Sequence, residues 1–284
     1  MAVRKADFAG SWYPGRADDC RQAIEEFCER GLPCPSSDRD PVGGIVPHAG
    51  WFYSGSIACN VVRCLRARTK TDTVVVIGRH LHPGSGNYIM SEGMWATPLG
   101  DLEIDRDLAD GLVGEFKFNL ESPTRYEPDN TIELQLPFIK YFFPEVRVLP
   151  LGVPPAADSL AIGTRVVELA GSLGKNIIVL GSTDLTHYGY NYGYSPKGSG
   201  RKAVEWVKNE NDKKVVDLML KMDAQGVIRE SLKSLNACCS GAAATAIEAA
   251  RRLGATKGYK LDYYTSYDVR PDDSFVGYVG IVFS

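Results

Sequence analysis

Short runs of aliphatic and β-branched residues alternate along this chain with longer stretches whose apolar positions recur at helical spacing. That alternation predicts an α/β fold with a largely parallel central sheet flanked by helices, since each crossover helix returns the chain beside the strand it has left. Core strands are predicted at 42–47, 73–78, 146–153 and 176–182, and helices at 55–68, 107–116, 131–143 and 159–173. The stretch 87–104, broken by Gly93, Pro98 and Gly100, reads as an antiparallel hairpin added to the sheet. A long exposed helix is predicted over 201–222 and a buried, alanine-rich one over 240–253, with two closing strands at 259–267 and 274–283. No linker, repeat or low-complexity tract interrupts the pattern, which predicts one domain over 1–284.

Composition narrows the function classes. A net charge of −3 gives no electrostatic reason to expect nucleic acid or an acidic membrane as partner. No apolar run approaches the roughly eighteen residues of a membrane-spanning helix. The N-terminal MAVRKADFAGSWYPG has no apolar core of the kind a signal peptide carries, which together with the previous point predicts a cytoplasmic protein. The seven cysteines form no CxxC pair, and their odd number predicts reduced thiols, with Cys59 and Cys64 as buried, inert members of an apolar helix.

Histidine is scarce, and its placement is informative. His48 follows the run VGGIVP in IVPHAGWFYSG; His80 and His82 follow TVVVIG in RHLHPGSG; His187 follows NIIVLGS in TDLTHYGYNYGY. In an open α/β sheet the loops at the carboxyl ends of strands form the binding crevice, so all four histidines are predicted at one edge of one sheet. Alternate residues of an extended loop point opposite ways, so one of His80 and His82 is expected to face the crevice and the other to stand behind it or in solvent. Asp184 precedes His187 by three residues and is read either as the group that orients its imidazole for base catalysis or as a helix cap.

Cys239, in NACCSGAAATAIEAA, sits at a predicted helix start, where the positive helix end favours a thiolate; Cys238 is expected to point elsewhere. One sulfur and two imidazoles suit iron, copper or zinc and disfavour magnesium or calcium. Three ligands would leave positions open for reaction. In RYEPDNTIELQLPF, Asp129 or Asn130 reads as a cap, while Asn130, Glu133 and Gln135 are candidates to line the crevice. TSYDVRPDDSFVGYVG, with Ser266, Asp268 and Ser274, reads as a loop over it.

AGSWYPG, VPHAGWFYSG, the strand-Gly-His loop, EPDNTIELQLPF, the Ser-Thr-Asp-x-x-His run and the Asn-x-x-Cys segment occur in that order over nearly the whole chain. Together they resemble the Memo family, which is similar in fold to the class III extradiol dioxygenases. The resemblance implies metal ligands at His48, His82 and Cys239, with His80 as the alternative in the second loop, and an acid/base pair at Asp184 and His187. It also implies non-haem Fe(II), the copper and zinc alternatives resting on the donor chemistry alone, and association with a radical-SAM protein and an AMMECR1-like protein. Two departures stand out: Gly78-Arg79-His80-Leu81-His82 replaces the common Gly-Pro-x-His, and Asn130 stands where relatives often carry histidine.

The expected function is therefore a metal-dependent redox enzyme acting on a small aromatic or phenolic molecule, with Trp51, Phe52, Tyr53 and Tyr188 as pocket walls. The alternatives are a non-catalytic metal-binding adaptor on a vestigial scaffold, and a zinc hydrolase.

Overall fold

The computed structural model describes residues 1–35, 39–67 and 70–284. The four predicted core runs form four neighbouring parallel strands, in the spatial order Gly43–Val46, Ile177–Ser182, Thr73–Gly78 and Arg147–Gly152. They read as continuous apolar runs because helices cover both faces of the sheet. Successive side chains still part company: Val74 and Val76 join the cluster under Ala17–Glu29, Trp51–Leu65 and Leu136–Phe142, whereas Val75 and Ile77 join the cluster under Ala157–Ser172 and Ser240–Arg252. The alanines of Ser240–Arg252 let it approach closely: a Cβ on Gly181 would lie 2.8 Å from that of Ala246.

Antiparallel pairs extend the sheet at both ends, so it is mixed overall and parallel at its centre, as predicted. Asn87–Met90 pairs with Arg147–Gly152 and then with Phe118–Glu121. At the other side Phe275–Phe283 pairs with Gly43–Val46, with Gly258–Thr265 and with the two-residue strand His187–Tyr188.

Several predicted elements differ. The stretch 87–104 is not one hairpin: Asn87–Met90 enters the main sheet, while Met94–Trp95 and Leu102–Glu103 form a separate small sheet with Val3–Arg4. The helix predicted from residue 55 starts at Trp51 and runs to Leu65; its predicted last residue, Arg68, lies outside the described residues. The helix predicted over 131–143 splits into Asn130–Glu133 and Leu136–Phe142, with Pro137 in the first turn of the second. The helix predicted over 201–222 contains a π turn at Val207–Asn211 and is not uniformly exposed, since Asn211 and Asp212 are buried. Ala224–Ser234 is an additional helix that the apolar pattern did not reveal. Cys34 and Cys64 are joined in a disulfide, against the expectation of reduced thiols, because the segment after the first helix passes the end of Trp51–Leu65. Cys59 is free and buried, as expected. Among the described residues no helix is long and apolar enough to cross a membrane.

Candidate metal centre

Three parallel strands end beside one another, and their exits carry the chemistry. After Gly43–Val46 the backbone of His48 is fixed on several sides. Its N–H donates to Asp184 Oδ1 at 2.7 Å, its carbonyl accepts from Asn130 Nδ2 at 3.0 Å, and the Pro47 carbonyl accepts from Gln135 Nε2 at 2.9 Å. After Thr73–Gly78 the chain turns sharply. A Cβ on Gly78 would collide with Thr131 Oγ1, and Arg79 adopts a left-handed conformation with φ of 79°. That conformation costs about 1–2 kcal/mol in a residue with a side chain. The Arg79 guanidinium offsets it by pairing with Glu121 and Glu127, each at 2.7 Å, and by lying over the Tyr88 ring. At the third exit, Asp184 O accepts from the Cys238 N–H and Thr183 Oγ1 from the Cys239 N–H, both at 3.1 Å. The cysteines are thereby held at the N-terminus of Ser240–Arg252.

These constraints bring four donor atoms together. His48 Nε2 lies 3.2 Å from His80 Nε2 and 3.3 Å from Cys238 Sγ, Cys238 Sγ lies 3.7 Å from Cys239 Sγ, and all four fall within 4.8 Å of one another. His48 and Cys239 are members, as expected. His82 is not: the turn at Arg79 delivers His80 to the cluster and leaves His82 outside it, its N–H on Ser85 Oγ. Nor does Cys238 point elsewhere; it sits nearer His48 than the sequence suggested.

The hydrogen-bond chain fixes the His48 tautomer. Ser182 gives its single hydroxyl proton to the Thr131 carbonyl at 2.6 Å, so toward His48 it can only accept, and it does so from Nδ1–H at 3.0 Å. With Nδ1 protonated, the Nε2 lone pair of the neutral ring is the one available to a cation in the cluster. Burial alone would lower the His48 pKa, but Asp184 and Cys238 outweigh it and raise it to about 9, so without a cation a proton occupies that position. Burial likewise opposes a Cys238 thiolate, yet the Cys239 thiol and the His48 and His80 imidazoles hold its pKa well below the usual thiol range. Burial pushes the Cys239 thiol up, reinforced by the neighbouring Cys238 sulfur. The two sulfurs, 3.7 Å apart, are thus shifted in opposite directions, the thiolate being favoured at Cys238 and the thiol at Cys239.

A cleft of about 660 Å³ opens onto the cluster, lined by His48, His80, Asn130, Asp184 and His187 together with Trp12, Phe52, Tyr53, Tyr192 and Tyr278. The His187 Nδ1–H donates to the Leu185 carbonyl at 3.1 Å, which leaves Nε2 as the basic nitrogen. Leu185, not Asp184, orients this ring; the 184–187 segment is extended rather than helical, and Asp184 carries the His48 N–H instead. Burial raises the Asp184 pKa, against the pull of His48 and His187.

Two predicted wall residues lie elsewhere. Trp51 is buried, stacked on Phe138 at 4.1 Å with its indole N–H on the Leu134 carbonyl. Tyr188 is fully buried against Phe275, its hydroxyl on the Gly198 carbonyl. Both belong to the core, as large aromatics at strand and helix starts commonly do. Glu133 accepts from the Asp7 and Phe8 N–H groups and from Tyr13 Oη, anchoring the N-terminal segment away from the site. Ser266 and Ser274 do line the cleft, whereas Asp268 closes a capping box with Thr265 and pairs with Lys208. Sequence reasoning missed Ser182, Arg79, Trp12 and Tyr192. The Ser-Thr-Asp run carried a signal for Ser182, but the others needed long-range packing to be found.

The sequence profile of Memo-like proteins matches residues 4–282. The chain belongs to the Memo family. Proteins described as MEMO1 family members are similar to it over 99% of both chains: one from Methanosarcina barkeri at 33% identity, one from Thermococcus onnurineus at 32% and one from Pyrococcus abyssi at 33%. A crystal structure of an uncharacterized protein from Escherichia coli K12 shares the fold, with a TM-score of 0.55 and 12% identity over 87% of this chain and 100% of that one. Within this Memo-family chain, the departure at Gly78-Arg79-His80 preserves a histidine in the cluster, and Asn130 supports the His48 loop through its carbonyl.

Proposed function

We propose that this Memo-family protein binds one iron or copper ion through His48, His80 and Cys238 and uses it in redox chemistry on a small phenolic molecule. The observation that carries this reading is the convergence of two imidazole nitrogens and two sulfurs within 4.8 Å, beside a cleft that also presents the basic nitrogen of His187. The donors fit such an ion. Two nitrogens and a thiolate are ligands for iron, copper or zinc, and the tautomer fixed by Ser182 aims a lone pair inward. Cys239, favoured as a thiol 3.7 Å from the Cys238 sulfur, leaves coordination positions free.

A bound redox metal would supply Lewis acidity and electron transfer. The protein's share is to orient and to move a proton. His187 Nε2 is suited to take the proton of a phenol bound in the cleft, while Tyr53, Phe52 and Trp12 offer faces for its ring. Among the described residues the lining includes Asp184 and Asp272 but no Lys or Arg, which favours a substrate without an anionic tail. Zinc is the competing occupant, since two sulfurs and two nitrogens also suit a tetrahedral zinc site.

The test is anaerobic purification and metal analysis, followed by oxygen uptake with catechols. Iron or copper near one equivalent, lost in a His48→Ala/Cys238→Ala double variant, is the expected result. Full zinc occupancy with no oxygen uptake would reject redox chemistry, and metal retained by the double variant would reject the site.

A further inference from the structure

A second cavity, about 320 Å³, reaches the cluster from a different direction. Cys238 lines this cavity, whereas His48 and His80 line the larger cleft; His187 and Tyr192 line both and so form the partition between them. The smaller cavity is walled by aliphatic side chains, including Leu81, Leu185, Leu232 and Leu235, and by His, Tyr and Ser residues; among the described residues its lining contains no Lys, Arg, Asp or Glu. Leu232 and Leu235 are 47% and 58% exposed, so the cavity communicates with solvent at that end. His82, which the cluster does not use, lines the same cavity from its exposed loop.

We propose that this cavity is a separate way in to the sulfur side of the cluster, used by a small uncharged reactant of dioxygen's class while the organic substrate fills the larger cleft. The proposal rests on the redox reading above, because only a two-reactant site needs two routes. An aromatic molecule seated in the larger cleft covers His48 and His80, and a second reactant must then arrive past Cys238. A wall rich in leucine suits that traveller: a small apolar molecule leaves water for it at no cost, whereas an ion would give up its hydration with no Lys, Arg, Asp or Glu to pair with among the described residues. The same wall disfavours charged oxidants and reductants on the way to Cys238.

Access can be measured without the metal or the reaction. The full-length protein, stripped with a chelator, is treated with methyl methanethiosulfonate, an uncharged reagent. The Cys238 thiolate attacks its sulfenyl sulfur, a new S–S bond forms, and methanesulfinate leaves. The rate is read at Cys238 by peptide mass spectrometry. Leu232→Trp, which fills the cavity from an exposed helix position, is expected to slow labelling by about tenfold, and Leu232→Ala to speed it. Phe52→Trp, in the larger cleft, is expected to leave the rate unchanged. The anionic 2-sulfonatoethyl reagent should label Cys238 at least about tenfold more slowly than the uncharged one, after correction for their rates with a free thiol. Labelling that ignores both Leu232 variants, or that Phe52→Trp slows instead, overturns the route. Failure of the redox reading would show separately, in the metal analysis and oxygen uptake.

Discussion

At the scale of single residues, a hydroxyl proton and a left-handed turn decide how the cluster is built. Ser182 acts on the metal donors only through His48, by holding Nδ1–H. Ser182→Ala leaves the imidazole in place but frees it to rotate or change tautomer. Metal affinity should fall about 10–100-fold, the usual effect of removing a group that orients a ligand. Competition with a chromophoric chelator measures this, and an unchanged affinity would mean that the hydrogen bond has no part in binding. The turn at Arg79 makes a sharper prediction, because it sorts two histidines that sequence alone leaves interchangeable. His80→Ala should lower metal affinity by at least about 100-fold, while His82→Ala, at an exposed position, should leave it within about twofold. The reverse order would show that the loop rearranges on loading.

At the scale of elements, the loop that carries Asp184 and His187 is braced by the irregular helix behind it. The π turn at Val207–Asn211 places Asn211 and Asp212 in succession on the buried side. Asp212 accepts from the Thr186 N–H at 3.0 Å, from the Thr186 hydroxyl and from Tyr263 Oη at 2.8 Å; Asn211 donates to Thr186 Oγ1 and to the Ser234 carbonyl. Burial raises the Asp212 pKa to about 6, although these hydrogen bonds pull against it. Between the unfolded carboxyl's value near 3.8 and about 6, the native protein keeps a proton that the unfolded chain has released. Asp212 therefore removes stability as the pH rises through that window, on the order of 3 kcal/mol in full. Urea unfolding of the wild type and Asp212→Asn at pH 4 and pH 7 should show the wild type losing ground to the variant by an amount of that order. A difference that does not change with pH would mean that the carboxyl is not raised. The brace also explains what the sequence could and could not disclose. The four core strands and the alanine-rich helix were legible because burial on both faces demands continuous apolar runs, and small residues are demanded where a helix lies close to a sheet. His48 was legible because it directly follows such a strand. The π turn was not, since its charges KNENDKK read as a solvated face while Asn211 and Asp212 turn inward to meet a loop some 25 residues earlier. The choice of His80 over His82 was hidden for a similar reason: it depends on Arg79 finding Glu121 and Glu127, which lie in a distant segment.

At the scale of the whole molecule, the charge is close to balanced at −3, yet its placement around the site is one-sided. Two buried arginines are committed elsewhere: Arg79 to its two glutamates, and Arg4 to Glu121 against the Trp95 and Tyr126 rings. What lines the cleft is Asp184 at the cluster and Asp272 among the C-terminal residues, with aromatic faces besides. Among the described lining residues an anionic tail meets no Lys or Arg, whereas an ammonium tail can meet both a carboxylate and the face of Trp12, Phe52 or Tyr192. Two catechols of matched size separate these cases, dopamine with an amine tail and 3,4-dihydroxyphenylacetate with a carboxylate. Under anaerobic conditions, with the metal loaded, the amine should bind about tenfold more tightly by calorimetry, which is the scale of one partly screened charge pair. Asp272→Asn should narrow the gap by weakening the amine and leaving its acidic counterpart equal or slightly improved. Tighter binding of the carboxylate would mean that the tail is governed by the metal or the histidines of the cleft and not by Asp272.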